Sequence, residues 1–130
     1  MKIVVVSGGF DPIHSGHIAY FKSAKSHGDK LIVALNSDAW LEKKKSKFFM
    51  PFDERKAIVE SIKFVDEVVS FKDDRKGSCI NALEKIKKSY PNDDIYFANG
   101  GDRDKKNIPE MSVSGLSFLF SIGGNDKKNS

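Results

Sequence analysis

Short β-branched runs alternate along the chain with stretches whose apolar residues recur at helical spacing. The runs at residues 2–7, 30–36, 65–71, 94–98 and 116–122 predict five strands. Helical spacing predicts a helix from Ser15, capped by Ser15 or Asp11 and stopping at Gly28, and further helices over 53–64 and 78–90. Between the second strand and the second of these helices, the pattern indicates only a basic linking stretch.

Strands that alternate with helices over short connections predict a parallel sheet with helices on both faces. The expected fold is therefore α/β, a Rossmann-like three-layer sandwich with a five-stranded parallel sheet. Residues 1–122 form the predicted domain, and 123–130 form a polar C-terminal tail. In such sheets ligands bind at the carboxyl ends of the strands, so the loops after residues 7, 36 and 98 are the expected site.

Composition narrows the expected partners. The chain has 130 residues, 39% hydrophobic and 31% charged, with a net charge of +4 that favours anionic ligands. No apolar run reaches the roughly 20 residues of a membrane helix, and the one cysteine cannot form an internal disulfide. We therefore expect a soluble cytoplasmic protein. Acidic residues dilute the basic charge and few aromatics interleave the lysines, so we expect small phosphates as partners, with no nucleic acid and no membrane.

The loop that follows the first predicted strand, GGFDPIHSGH over residues 8–17, carries the candidate chemistry. Paired glycines let a backbone approach a ligand, and a helix that begins here directs free N–H groups at an anion. His14 and His17 lie three residues apart with Gly16 between them, so both imidazoles can donate to phosphate oxygens. Two alternatives remain: a pair that only caps the helix, and a metal site with Asp11 as third ligand. Neither a GxGxxG fingerprint nor a GxxxxGK[ST] loop is present.

This loop resembles the HxGH signature of the cytidylyltransferase-like nucleotidyltransferases, which include glycerol-3-phosphate cytidylyltransferases and heptose-phosphate adenylyltransferases. The resemblance continues through residues 31–38, a lysine-rich segment at 43–47, residues 51–69 and a GGD at 100–102. It implies an enzyme that moves CMP from CTP to a small phosphorylated alcohol such as glycerol 3-phosphate, with release of pyrophosphate. The alternatives are ATP with a heptose phosphate, or a degenerate nucleotide-binding module. The resemblance also implies Mg²⁺ bound with the triphosphate, and a homodimer.

The resemblance assigns roles to individual residues. Catalysis is assigned to His14, His17 and Lys44, and nucleotide binding to Gly8, Gly9, Phe10, Asp11, Gly16, Lys47, Gly101, Asp102 and Arg103. Substrate binding is assigned to Asp38, Lys44 and Arg55. The roles of Lys45 and Lys47 stay open because Ser46 stands where the family pattern has a further lysine.

Other assignments keep two interpretations. Asp38 either accepts from a substrate hydroxyl or caps a short helix, and Arg55 either binds phosphate or forms a surface or intersubunit ion pair. Asp66 is expected outside the active site. The family has an arginine and small residues near its C-terminus, where this chain reads GGNDKKNS. Either residues 127–130 replace part of that element, or the natural protein continues beyond this sequence.

Overall fold

A computed structural model describes residues 1–73, 79–100 and 115–122. The five strands are β1 (Lys2–Gly8), β2 (Lys30–Leu35), β3 (Glu67–Val69), β4 (Asp94–Gly100) and β5 (Leu116–Ile122). The four helices are α1 (Ser15–Lys25), α2 (Asp38–Lys45), α3 (Phe52–Glu60) and α4 (Ile80–Ser89).

All strand pairs are parallel, and the strands lie in the order β3-β2-β1-β4-β5. Neighbouring residues of β1 face opposite sides of this sheet: Val4 and Val6 pack with residues of α1 and α3, whereas Ile3 and Val5 pack with residues of α4. Burial on both faces explains the nearly continuous apolar runs of the central strands. The predicted Rossmann-like three-layer α/β fold with a five-stranded parallel sheet is confirmed.

The hydrophobic pattern missed one helix, which only the cap interpretation of Asp38 indicated, and it misplaced several element ends. α2 occupies the segment predicted as a basic link. The pattern does not reveal this helix because its eight residues, DAWLEKKK, show almost no apolar periodicity. The predicted strand over 65–71 is reduced to Glu67–Val69, and the helix predicted over 53–64 begins at Phe52 and ends at Glu60. None of the described helices is long and apolar enough to cross a membrane.

Candidate active site at the carboxyl ends of β1 and β2

The order of the strands reverses at β1, which lies between β2 and β4 in the sheet. β2 follows β1 on one side, whereas β4 lies on the other side and is reached by a later crossover. In open parallel sheets, the crevice beside such a reversal is where ligands bind. β1 ends at Gly8, so the loop with both candidate histidines leaves the sheet at this crevice and leads directly into α1.

The two histidines hold each other at the start of α1. The Nδ1 atom of His14 accepts a hydrogen bond from the Gly16 N–H at 3.1 Å, and the Nδ1 atom of His17 accepts one from the His14 N–H at 3.2 Å. The rings stack with their centroids 3.9 Å apart. Because both Nδ1 lone pairs accept, each neutral ring carries its proton on Nε2. Each ring therefore carries its Nε2–H beside a helix N-terminus.

His14 is the N-cap of α1, so the prediction that Ser15 or Asp11 caps this helix is wrong. An imidazole nitrogen here takes the place of the usual hydroxyl or carboxylate oxygen. The helix-capping interpretation of the histidines is thus correct for Nδ1, and these cap bonds do not involve the Nε2–H groups.

Phe10 supports the histidine pair from the interior. Its backbone adopts a φ of 51°, and its ring is buried. The ring meets His17 edge-on at 4.9 Å between centroids and Phe21 of α1 at 5.0 Å. His17 is buried as well, whereas His14 is exposed. The left-handed backbone at Phe10 therefore turns the loop so that one aromatic ring fixes the inner histidine.

Gly8 and Gly9 lie in close contact with side chains of the same chain. A Cβ atom on Gly8 would lie 2.7 Å from the Phe10 ring, and one on Gly9 would lie 2.6 Å from Cδ2 of Leu41. Real Cβ atoms do not approach other atoms so closely, so a side chain at either position forces a neighbour to move. The sequence predicted that these glycines admit a ligand. The structure adds that Gly9 admits α2.

Asp11 joins the histidine loop to the segment that follows α2. Its buried carboxylate accepts from the Phe49 N–H at 2.6 Å and from the Met50 N–H at 2.8 Å, one bond to each oxygen. Both oxygens are therefore engaged by backbone groups, which argues against Asp11 as a metal ligand. Among the described residues, no cluster of three or more His, Cys, Asp or Glu side chains is placed to hold a metal ion.

Arg55 lies in the interior, so its interpretation as a surface or intersubunit ion pair is wrong. The side chain is 1% exposed, and its guanidinium donates to the carbonyl oxygens of Gly9, Asn36 and Met50 and to the Asp38 carboxylate. These bonds occupy four of the five N–H groups that a guanidinium has. The substrate-binding interpretation of Arg55 loses its basis, because one N–H at most is left for a phosphate.

α2 carries Lys44, and Lys47 follows the end of this helix. Its N-cap is Ser37, whose Oγ accepts from the Trp40 N–H at 3.1 Å; Asp38 instead pairs with Arg55 at 2.7 Å, so the cap interpretation of Asp38 is wrong. The Lys44 ammonium lies 5.1 Å from the centre of the Trp40 ring. Ser46 ends the helix with a φ of 73°. Lys44 and Lys47 are both exposed.

The remaining predicted residues divide into two groups. Gly16 lies in the first turn of α1 and supplies the N–H that caps His14. Gly101, Asp102 and Arg103, together with residues 127–130, lie outside the described residues. Sequence reasoning missed Ser37 and Trp40, although a serine directly before a polar segment is itself a common helix-start signal.

Asp66 lies at the amino ends of the strands, which form the edge of the sheet opposite the histidine loop. Its carboxylate accepts from the Leu31 N–H at 2.8 Å and pairs with the Lys25 ammonium at the end of α1. Partial burial opposes ionisation, but the bonds from Lys25 and Leu31 outweigh it and hold the pKa of Asp66 below its ordinary value. The residue therefore joins β2, α1 and the start of β3, away from the candidate site.

A second polar cluster, formed by Lys30, Glu67 and Tyr90, lies at that same edge. The Tyr90 hydroxyl accepts from the Lys30 ammonium and donates to the Glu67 carboxylate at 2.9 Å. The hydrogen bond that Lys30 donates to Tyr90 raises the pKa of Lys30, against the effect of burial and together with the hydrogen bond to Glu67. These charged groups fasten α4 to the start of β2 and β3.

Comparison with known proteins finds a matching family model and curated relatives. A family model described as "Cytidylyltransferase-like" matches residues 5–113. The chain is 39% identical over 84 residues to the "Bifunctional protein HldE" of Alkalilimnicola ehrlichii and 41% identical over 75 residues to that of Shigella sonnei. These matches cover 63% and 56% of this chain but only 18% and 16% of the relatives, so the chain spans less than a fifth of their length.

Solved structures share the fold at low sequence identity. The lipopolysaccharide core biosynthesis protein from Thermoplasma volcanium superposes with a TM-score of 0.72 at 22% identity, covering 93% of this chain and 96% of that chain. A bifunctional NMN adenylyltransferase/ADP ribose pyrophosphatase from Francisella tularensis, complexed with AMP and a Mn ion, has a TM-score of 0.63 at 20% identity. That match covers 92% of this chain and 36% of the other.

Proposed function

Because the chain belongs to the cytidylyltransferase-like family, we propose that it is a nucleotidyltransferase acting on a small phosphate monoester. The observation that carries the proposal is the stacked His14–His17 pair, held through both Nδ1 atoms at the N-terminus of α1 beside the strand-order reversal. Nothing in such a reaction requires a nucleophilic side chain. The reaction requires hydrogen-bond donors that stabilise the negative charge on the phosphate oxygens.

The proposed reaction joins two polyanions. An oxygen of the acceptor phosphate attacks the α-phosphorus of the nucleoside triphosphate, the bond from that phosphorus to the bridging oxygen breaks, and pyrophosphate leaves with the electron pair. The attacking oxygen is already anionic at neutral pH, so no general base is needed. His14 and His17 donate to the triphosphate oxygens and stabilise the charge that grows as the bond breaks.

Lysines on and after α2 supply the second positive group. We assign Lys44 to the acceptor phosphate and Lys47 to the triphosphate, while the backbone at Gly8, Gly9 and Phe10 lines the nucleotide pocket. Support comes from the contact of α2 with the loop: Leu41 and Trp40 are the side chains that a Cβ atom on Gly9 would meet. The lysine helix and the histidine loop thus touch directly, as a site that aligns two phosphates requires.

Mg²⁺ is the divalent ion that we propose to enter with the triphosphate. The described residues offer no protein cluster for a resident metal, and Asp11 is engaged by backbone N–H groups. An ion carried by the phosphates themselves fits this arrangement, and it neutralises their charge when bound.

Among donors, we propose ATP, with a sugar phosphate as acceptor. Two comparisons support this choice: the curated relatives with about 40% identity are HldE proteins, and a structural neighbour is an adenylyltransferase complexed with AMP. Cytidylyl transfer from CTP to glycerol 3-phosphate is the second candidate, since it suits the family description and the spacing of the lysines at residues 43–47.

The decisive experiment measures pyrophosphate release with ATP or CTP and Mg²⁺ across a panel of phosphate monoesters that includes a heptose phosphate and glycerol 3-phosphate. We expect release only with ATP and a sugar phosphate. Release with CTP and glycerol 3-phosphate would establish the second candidate. Nucleotide binding without release under any condition would contradict the transferase and favour a nucleotide-binding module.

A further inference from the structure

Arg55 is the largest fully buried side chain of the described core, and it carries a positive charge. Removing a guanidinium from water costs several kcal/mol unless hydrogen bonds and an opposite charge compensate for it. Here the Asp38 carboxylate pairs with Nη2 at 2.7 Å, and its own side chain is 34% exposed. A buried charge this well satisfied has a defined geometry, because each of its bonds has a fixed direction.

The partners of Arg55 come from different segments of the candidate site. Nη1 donates to the Gly9 carbonyl at 2.9 Å and to the Asn36 carbonyl at 2.7 Å, so it bridges the loops that follow β1 and β2. Nη2 donates to Asp38, the first residue of α2. Nε donates to the Met50 carbonyl at 3.0 Å, in the segment between α2 and α3. One planar group therefore contacts both strand-end loops and both ends of the lysine-bearing region.

Asp11 supports the same junction from the other side. Its carboxylate binds the backbone N–H groups of Phe49 and Met50, so Met50 is held by Asp11 through its N–H and by Arg55 through its carbonyl oxygen. Asp11 also lies three residues before His14 in the histidine loop. The position of the lysine region relative to the histidine loop is thus fixed by two charged side chains.

We propose that Arg55 is a positioning residue: it sets α2 and its lysines at the distance from the histidine pair that phosphoryl alignment requires, without contacting substrate. This inference rests on the proposed function. Its physical reason is that reacting groups must be held within about 0.5 Å of a productive geometry, and displacements of about 1 Å cost on the order of 100-fold in rate.

The test compares Arg55→Lys with Lys56→Gln. Lysine keeps the buried charge but cannot reproduce the planar fork, whereas Lys56 follows Arg55 on α3 and pairs only with Glu60 among the described ion pairs. We expect Arg55→Lys to lower kcat about 10- to 100-fold. Nucleotide affinity, measured by titration without acceptor, should change by less than about threefold, since no substrate contact is lost. Lys56→Gln should match the wild type in both measurements.

Two results would overturn the proposal. A loss of nucleotide affinity equal to the loss in kcat/KM would make Arg55 a phosphate ligand. An unchanged kcat with only a lower unfolding temperature would leave it a purely structural role. Asp38→Asn, which keeps the shape of the pair and removes its negative charge, should give the same kinetic pattern with a smaller effect; wild-type kinetics in this variant would also overturn the proposal.

A spectroscopic measurement keeps this inference separate from the proposed reaction. Trp40, the one tryptophan of the chain, lies against Gly9, where its Cζ3 atom would be 3.5 Å from an added Cβ. If Arg55 holds α2 against the loop, Arg55→Lys should shift the Trp40 emission to longer wavelength and increase its quenching by acrylamide, and Lys56→Gln should not. Identical spectra would refute the positioning role even if the wild type released no pyrophosphate. Absent release with the expected spectral change would refute the transferase alone.

Discussion

At the scale of single residues, the histidine pair combines a role in the fold with the role that we propose for it in chemistry. Nδ1 of each ring is used to begin α1, and this fixes the tautomer that leaves Nε2–H as a donor. Stacking at 3.9 Å and the edge contact from Phe10 then restrict both rings to one orientation. Both rings are therefore positioned by contacts within the chain, which is what the proposed stabilisation of a transition state requires.

Replacement of either histidine should separate activity from stability. We expect His14→Ala or His17→Ala to lower kcat/KM by about 10²- to 10³-fold, because a transition-state donor is lost. Loss of the cap at His14 should lower the free energy of unfolding by only about 1 kcal/mol. Steady-state kinetics and denaturant unfolding measure the two effects.

His27 is the matched control for this pair. It is the third and last histidine of the chain, it is exposed just after α1, and its Nδ1 lies 2.8 Å from the Ser23 carbonyl oxygen. His27→Ala should leave turnover unchanged. Wild-type rates in both His14→Ala and His17→Ala would remove the histidines from the proposed mechanism.

At the scale of elements, α2 forms and carries Lys44 although its sequence carries little helical signal. Ser37 begins the helix, Leu41 and Trp40 pack it toward Gly9, and Ser46 ends it in the left-handed region. Trp40 and Lys44 lie one turn apart, so the ammonium of Lys44 is placed over the indole ring. The helix thus fixes the backbone of Lys44, while its exposed ammonium can leave the ring for a phosphate.

Substitution of Lys44 tests its assignment to the acceptor. We expect Lys44→Ala to raise the KM for the phosphate monoester about tenfold, through loss of one charge-assisted hydrogen bond, with little change in the KM for the nucleotide. Lys43→Ala, on the neighbouring exposed position of α2, is the control and should behave as the wild type. An effect confined to the KM for the nucleotide would instead move Lys44 to the triphosphate.

At the scale of the whole molecule, the carboxyl ends and the amino ends of the parallel strands carry different groups of polar residues. At the carboxyl ends of the strands, the loop that contains His14 and His17 and the start of α2 both contact the buried Arg55 or its partners. At the opposite edge, Asp66 binds Lys25 and the Leu31 N–H, and Lys30 pairs with Glu67 and Tyr90. The candidate site and these stabilising ion pairs therefore lie at opposite ends of the strands. Substitutions of the ion-pair residues can change stability without contacting the candidate site.

Acid titration should show the contribution of Asp66. Its pKa is lower in the folded chain than in the unfolded chain, so its stabilisation is complete above the unfolded value near about 4 and is lost as the pH falls through the folded value. The difference in unfolding temperature between wild type and Asp66→Asn should thus be largest near neutral pH and shrink below about pH 4.

Asp94→Asn is the control at the same edge, because Asp94 begins β4 with an exposed side chain. It should leave the acid limb of the stability curve unchanged. A difference between wild type and Asp66→Asn that is constant from neutral to acid pH would contradict an ionised Asp66 as the stabilising group.

The sequence by itself determined the parts of this protein that depend on local pattern. Runs such as KIVVVS and KLIVAL identify buried strands, because a strand covered on both faces needs continuous apolar residues. The strand, glycine, histidine and helix-start signals of residues 2–17 are contiguous, so the candidate site could be located without the fold. The strand order of the sheet, with its reversal at β1, was decided by the tertiary structure alone, because short right-handed crossovers are compatible with more than one order.

The tertiary structure alone decided the roles of the polar residues. The sequence indicated that Arg55 occupies an exposed helix position, yet its side chain is buried among acceptors from other segments. These acceptors lie 5 to 46 residues away in the chain, so no local pattern reveals them. Asp11 looks like a ligand beside two histidines, yet its partners are backbone groups 38 and 39 residues distant. α2 lacks apolar periodicity and is held by its cap and by its contact with Gly9. Such contacts depend on which segments meet in space, and no local pattern of hydrophobic and polar residues encodes that.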